Sequence, residues 1–398
     1  MVKIAILGFG VVGSGTAEVL TENKKIIEER LGCEYEIKYI LDLRDFPDSP
    51  FAKLVVHDFN IILNDPEVTI VAEMMGGSHP AYDFSKACLE AGKHVVTSNK
   101  EVVSNFGVEL CSIAASHNVR YLFEASVGGG IPVIRPIIND LASNKITKIC
   151  GILNGTTNYI LTKMRDEGAS FADALANAQK LGYAEANPSA DVDGIDAARK
   201  IVILAALASG KLISPKAIYT EGITAISLLD TKLADKLGAS IKLIGQAHVS
   251  DDALTALVSP CIVPKSNPLS RIDDVFNGIL VDANMVGEVM FYGPGAGKLP
   301  TASAVVADII DIIAHLDSDL KVISWTDAKE EDLANFDDFK CKRVFISSEE
   351  LSFPAEILVT STAESDGAYA YVTAPLSEYE VRSFTENKNS VLSVFRTL

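Results

Sequence analysis

Short apolar runs that end in glycine alternate with amphipathic stretches through the first third of the chain. VKIAILGFG is a β-rich run closed by glycine, and GVVGSGTAEVLTENKKIIEERLG continues it with helical periodicity. YEIKYILD, TIVAEMMGG, HVVTSN and RYLFEAS repeat the strand pattern, and AYDFSKACLEAGK reads as a helix between two of them. Strands and helices in this order predict an open, mainly parallel sheet with right-handed crossovers, whose ligands lie outside the carboxyl ends of the strands. Beyond it, ITKICGILNGTTNYILTKM reads as strand, polar turn and helix, and SFADALANAQKLG as an amphipathic helix. The next stretch divides in two. LGYAEANPSADVDG has a loop composition, whereas from Gly194 onward Ile195, Ala198, Ile201, Val202 and Ala205 recur at helical spacing. ASIKLIGQAHV, ALTALVSPCIVP, NGILVDANMV and EVMFYG then read as strands of a second sheet, followed by a long apolar helix in GKLPTASAVVADIIDIIAHL. From about Leu320 the chain turns acidic, as in WTDAKEEDLANFDDF, before a strand-rich tail with one helical run near LSEYEVRSF.

At 398 residues, the chain is long enough for two or three domains. Its 48% hydrophobic and 22% charged content is that of an ordinary soluble globular protein. A net charge of −18, with no basic run interleaved with aromatics, argues against nucleic acid or an anionic membrane as partner. Six scattered cysteines show no CxxC pair or metal-ligand spacing, which fits reduced thiols in a cytoplasm. The apolar start is interrupted by glycines and soon reaches Glu18 and Glu22, unlike a signal peptide, and no run approaches membrane-spanning length.

Three stretches carry candidate chemistry. Gly8, Gly10 and Gly13 form GxGxxG where a strand meets a helix, so Gly8, Phe9, Gly10, Val11, Val12 and Gly13 would let a pyrophosphate approach the backbone at the helix N-terminus. Asp42 closes the next strand, where a ribose hydroxyl is expected, while nearby Arg44 could instead meet a 2′-phosphate. Gly76, Gly77, Ser98, Asn99 and Lys100 also lie at strand carboxyl ends. Second, Asp196 and Lys200 stand four apart on one side of a helix that runs into IVILAALA, with Glu185 and Asp191 arriving from the loop before it. Such a set could bind an amino-acid ammonium beside a proton donor; the plainer reading is an exposed helix pair worth a few tenths of a kcal/mol. Third, Gly128, Gly129 and Gly130 expose backbone groups at a turn that reads equally as a hinge.

The run GYAEANPSADVDGIDAARK closely resembles the signature of homoserine dehydrogenases, which interconvert L-aspartate 4-semialdehyde and L-homoserine with a nicotinamide cofactor. TSNKEVVS, NGTTN and YGPGAGKLPTASAVVAD resemble further elements of that family in the same order, over residues 1–316. The resemblance implies a Rossmann-type doubly wound parallel sheet over 1–130, completed by 297–318, an α+β substrate-binding and dimerisation domain over 131–296, and a small C-terminal α+β module over 320–398. This last is similar only to a reduced ACT domain, because EELSFPAE makes a poor first helix. It also implies Lys200 or Lys100 as the proton donor, with Lys100 close to both nicotinamide and substrate and a neighbouring like charge helping to lower the ammonium pKa. Substrate would meet Glu185, Asp196, Asp191 and the Gly155–Thr156 turn, where Thr156 or Thr157 could equally cap the helix. Gly295 would border the cofactor. Carbonyls of Glu124, Val127, Gly129 and Ile131 would hold a monovalent cation, sodium or potassium. A homodimer with a role in threonine and methionine biosynthesis follows from the same resemblance. The family often carries Arg-Asp where Leu41-Asp42 stands here, so the choice between NAD and NADP stays open. A dehydrogenase for another amino acid, or a cofactor-binding sensor without turnover, are the competing readings; a sensor need not keep Lys100, Glu185, Asp196 and Lys200 together.

Overall fold

A computed structural model describes residues 1–251, 253–316, 318 and 323–398. Contacts divide the chain into two units: 1–143, 206–214 and 293–327 form the first, and 144–205, 215–292 and 328–398 the second.

The first unit is built on six strands, β1 (Val2–Leu7), β2 (Tyr35–Leu41), β3 (Val55–Val56), β4 (Val68–Glu73), β5 (His94–Thr97) and β6 (Tyr121–Leu122), in the order β3-β2-β1-β4-β5-β6. Every pairing is parallel. Ile4, Ala5, Ile6 and Leu7 of β1 are fully buried, as a central strand covered on both faces requires. The helical run after the glycines breaks at Asn23 into Val11–Glu22 and Lys24–Leu31. The helix Lys298–Ala314 returns to this unit, with Val305, Ile309 and Ile312 packed among Ile4, Ile6 and Leu20. Gly15 makes the approach close: a Cβ there would lie 2.8 Å from the Lys298 carbonyl oxygen.

The second unit is built on a mixed sheet. Ile146–Ile152 runs antiparallel to both Ala239–Val249 and Phe276–Ala283, and Ala239–Val249 forms a long antiparallel pair with Leu254–Pro264. Gly245 leaves room on one face for Leu153 and Ile201, which would lie 2.8 and 3.2 Å from a Cβ, so the helix Ile195–Ser209 seats against the sheet there.

Two boundaries differ from the sequence reading. The first contact unit extends past the expected break at residue 130 as far as Ser143. The reason is Glu124, whose carboxylate accepts the backbone N–H groups of Val133, Ile134 and Arg135 at 2.7–2.8 Å and ties that segment to the first unit. The tail over 328–398 belongs to the second unit, because Val391–Thr397 adds to Leu254–Pro264 through the pairs Cys261–Arg396 and Ile262–Thr397. The expected starting point of the tail, Leu320, lies outside the described residues. Within the tail, Arg343–Ser347, Val359–Ser365, Ala368–Thr373 and Val391–Thr397 surround the helix Glu378–Thr385, and 349–358 is not helical. Among the described residues no helix is long and apolar enough to cross a membrane.

Candidate active site

The glycine turn follows directly from β1. Gly8 has φ +88°, a left-handed conformation that favours glycine, and its N–H donates to the Leu41 carbonyl at 2.8 Å. A Cβ on Gly13 would lie 1.9 Å from the Gly8 carbonyl oxygen, so only glycine lets the helix start this close to the strand. Gly10 is the N-cap and faces open space, leaving the first-turn amides of Val11, Val12 and Gly13 for an anion. Phe9 packs inward on Phe46 and Phe51, and its N–H donates to Asp42 Oδ2 at 2.8 Å. The Asp42 carboxylate also takes a two-pronged contact from Arg44, Nε at 2.9 Å and Nη2 at 3.0 Å, and the guanidinium holds its pKa down to about 2. Both residues expected at the ribose are therefore adjacent, but as a pair.

At the ends of β4 and β5, Glu73 is fully buried. It accepts the Met75 N–H and the Thr97 hydroxyl, each at 2.6 Å, and burial pushes its pKa up to about 7. Thr97 Oγ1 in turn accepts the Asn99 N–H at 2.9 Å, and Asn99 Nδ2 donates to the Gly77 carbonyl at 2.8 Å. The loops bearing Gly76–Gly77 and Ser98–Lys100 are thus stitched together from beneath. Asn99 caps the helix Lys100–Ser116 through Val102 N–H, placing Lys100 at its first position. In the glycine cluster, Gly128 and Gly129 have φ of +75° and +55°, and Gly129 lies against Gly295, whose carbonyl oxygen would be 2.4 Å from a Cβ. Asp308, also buried, accepts the Glu124 N–H at 2.8 Å and an Arg135 Nη2 hydrogen bond, and burial raises its pKa to about 7.

In the second unit, Asn154 is the hub. Its Oδ1 caps the helix Gly155–Glu167 by accepting Thr157 N–H at 2.9 Å, the task the sequence reading gave to Thr156 or Thr157. An Asx side chain at this position competes well with threonine. Its Nδ2 donates at 2.8 Å to both Asp191 Oδ1 and Asp196 Oδ2. Lys200 Nζ donates to Asp196 Oδ2 at 2.7 Å and to the Leu153 carbonyl at 2.6 Å. Asp196 and Lys200 are 6% and 8% exposed, which removes the reading of a solvated helix pair. An ammonium has three protons, so two such bonds leave one for a substrate oxygen. Thr156 Oγ1 donates to the Tyr183 carbonyl at 2.6 Å and fastens the acidic loop. Glu185 on that loop is exposed, and its backbone carbonyl, not its carboxylate, is engaged, by Gln179 Nε2. The structure therefore gathers Asp191, Asp196 and Lys200, with Gly155 and Thr156 beside them, and does not bring the Glu185 carboxylate to Lys200. The sequence reading placed Asn154 in the NGTTN turn without giving it these contacts, and it did not single out Glu73.

Comparison with known proteins agrees across both units. A family model described as the homoserine dehydrogenase NAD binding domain matches residues 8–124, and one described as homoserine dehydrogenase matches 132–310. The homoserine dehydrogenase of Synechocystis sp. is 45% identical over 325 residues, covering 80% of this chain and 74% of its own length. That of Neisseria gonorrhoeae is 44% identical over 321 residues, with the same coverages. The crystal structure of a homoserine dehydrogenase from Thiobacillus denitrificans superposes with a TM-score of 0.89 at 31% identity, covering 100% of this chain and 98% of that one. A hyperthermophilic archaeal homoserine dehydrogenase solved in complex with NADPH covers 78% of this chain and 97% of its own, with a TM-score of 0.67 at 29% identity. With family models matching residues 8–124 and 132–310 and curated relatives above 40% identity over most of its length, the chain belongs to the homoserine dehydrogenase family of oxidoreductases.

Proposed function

We propose that this chain interconverts L-aspartate 4-semialdehyde and L-homoserine, with Lys200 handling the proton. The observation that supports this most directly is the buried Lys200 ammonium, fixed 2.7 Å from Asp196 and 2.6 Å from the Leu153 carbonyl. When bound, the reduced nicotinamide supplies a hydride to the aldehyde carbon. Lys200 Nζ–H gives the proton that the carbonyl oxygen requires, and takes it back in the reverse direction. Asp191 and Asp196, held by Asn154, accept from the substrate ammonium, and the amides of Gly155 and Thr156 at a helix N-terminus meet its carboxylate. Lys100, at the first position of its helix, is the second candidate for the proton.

The cofactor, NAD or NADP, would be held by the Gly8–Gly13 turn, Asp42 and Arg44, with Gly76, Ser98, Asn99, Lys100 and Gly295 completing its site. A monovalent cation fits the carbonyls of Glu124, Val127, Gly129 and Ile131. The Glu124 carboxylate is spent on three amides, which leaves its carbonyl as the group it could offer a cation. A homodimer in the cytoplasm completes the reading, the latter supported by six cysteines that form no disulfide.

Purified protein given L-homoserine with NAD or NADP should generate reduced cofactor, read by absorbance. Turnover with neither, or faster turnover of another hydroxy amino acid, would overturn the substrate assignment.

A further inference from the structure

The strongest unassigned feature is a buried arginine near the C-terminus. Arg396, in strand Val391–Thr397, is 5% exposed and sits 4.3 Å over the Tyr219 ring and 5.6 Å from the Phe336 ring. Its guanidinium makes a two-pronged contact with Glu378, Nε at 2.8 Å and Nη2 at 3.0 Å, and reaches Glu221 Oε2 through Nη1 at 3.2 Å. Tyr219 Oη donates to the same Glu221 oxygen at 2.9 Å. Arg343, 2% exposed, shares Glu378 at 2.6 Å. Two cations and two carboxylates thus balance in one cluster, buried except on the side of the half-exposed Glu221, with the planar Arg396 fork matched to the Glu378 carboxylate.

The cluster abuts the substrate loop through a few residues of backbone. Glu221 donates its N–H to the Val258 carbonyl at 2.9 Å, which seats the segment on the sheet. Its neighbour Gly222 lies so close to the loop that a Cβ would be 2.2 Å from the Val192 carbonyl oxygen and 2.6 Å from Asp193 Cα. Ile223 N–H donates to that Val192 carbonyl at 2.8 Å. Gly194, with φ +82°, is enclosed from the same side: Thr220 and Val258 would lie 3.2 Å from a Cβ, and the Glu221 carbonyl 3.4 Å. Val192 and Gly194 fall between Asp191 and Asp196, the two carboxylates joined by Asn154.

We infer that Arg396 and Glu221 are positioning residues for substrate: the C-terminal strand, through this ion pair, holds segment 219–223 against the 191–194 turn and so sets where Asp191 and Asp196 meet the substrate ammonium. The inference rests on the reading that substrate binds at the Lys200 cluster. A shift of about 1 Å in binding carboxylates is enough to change turnover on the order of a hundredfold, so a remote buttress can be visible in kinetics.

The test is the homoserine KM against kcat and dinucleotide affinity in Glu221→Gln, Arg396→Lys and Arg396→Met. Glu221→Gln removes the charge at a half-exposed position and should fold. It should raise the homoserine KM by about five- to twentyfold, with the dinucleotide Kd unchanged, since that site lies in the other unit. Arg396→Lys keeps the charge and should recover part of the KM that Arg396→Met loses. Combining Glu221→Gln with Arg396→Met should add little to the stronger single effect on kcat/KM, as partners in one contact do. A role in stability alone predicts a lower Tm with KM and kcat within twofold of the unmodified protein, and that result in folded Glu221→Gln would overturn the inference. Lys200→Ala run alongside separates the two ideas. If Lys200→Ala impairs turnover or homoserine KM while Glu221→Gln leaves KM alone, only the buttress falls; if Lys200→Ala leaves both kcat and the homoserine KM unchanged, the reading that substrate binds at the Lys200 cluster falls with it.

Discussion

Replacing Lys200 by methionine keeps most of the apolar stem and deletes the ammonium. Two hydrogen bonds go, 2.7 Å to Asp196 and 2.6 Å to the Leu153 carbonyl, from a place where the two charged side chains are only 11% and 8% exposed. Two consequences of similar size must be kept apart. Removing one partner of a buried ion pair costs stability, up to about 3–5 kcal/mol, because a carboxylate is left with fewer compensating contacts. The Asn154 Nδ2 contact to the same Asp196 oxygen places this site toward the lower end. Loss of the proton donor should lower kcat by on the order of 10² to 10⁴, the usual worth of general acid catalysis. That range corresponds to roughly 3–5 kcal/mol in the transition state. The assay is saturating turnover per folded molecule, with the folded fraction fixed by circular dichroism below Tm and dinucleotide binding followed by fluorescence titration as a control. Affinity for the dinucleotide should stay near the unmodified value. A folded Lys200→Met that keeps more than about a tenth of kcat would refute the assignment and move the proton to Lys100.

The cofactor should be selected weakly: Asp42 repels a 2′-phosphate and Arg44 attracts one, so NAD and NADP should both support turnover, and Arg44→Ala should shift kcat/KM toward NAD. A preference for NADP beyond about a thousandfold, roughly 4 kcal/mol, would contradict this. Gly13→Ala places a methyl 1.9 Å from the Gly8 carbonyl oxygen, so soluble variant should lose dinucleotide binding in the same fluorescence titration; unchanged binding would show that the helix can shift away. Glu73 has a folded-state pKa of about 7 against 4.5 in the unfolded chain, so the folded state holds the extra proton and stability falls as pH rises between those values, by up to about 3 kcal/mol. The Tm advantage of Glu73→Gln over the unmodified protein should therefore grow from pH 4.5 to 7, and a difference that does not change with pH would count against the raised pKa.

The sheet of the first unit and its glycine turn were legible because their cause is local: buried parallel strands read as continuous apolar runs, and the turn needs glycine at fixed offsets. Asp196 and Lys200 were legible for the same reason, being four apart on a helix whose continuation is apolar. Glu185 was not, since a loop residue has no periodicity from which to read its direction. Asn154 joins carboxylates 37 and 42 residues away, and Glu124 caps a helix nine to eleven residues further on; neither pairing leaves a local trace. The same holds for the tail, where the pairing of Cys261 with Arg396 makes part of the second sheet from residues read as a separate module.

The return of Lys298–Ala314 to the first unit has a consequence for how the chain is made. Gly15, Ile4 and Leu20 wait for Val305, Ile309 and Ile312, which emerge only after the ribosome has added more than about 160 residues beyond Ser143. At roughly 5–20 residues per second, that is on the order of ten seconds during which the nascent nucleotide-binding sheet has one apolar face uncovered. The sheet of the first unit is thus covered only after most strands of the second unit's sheet have already been made.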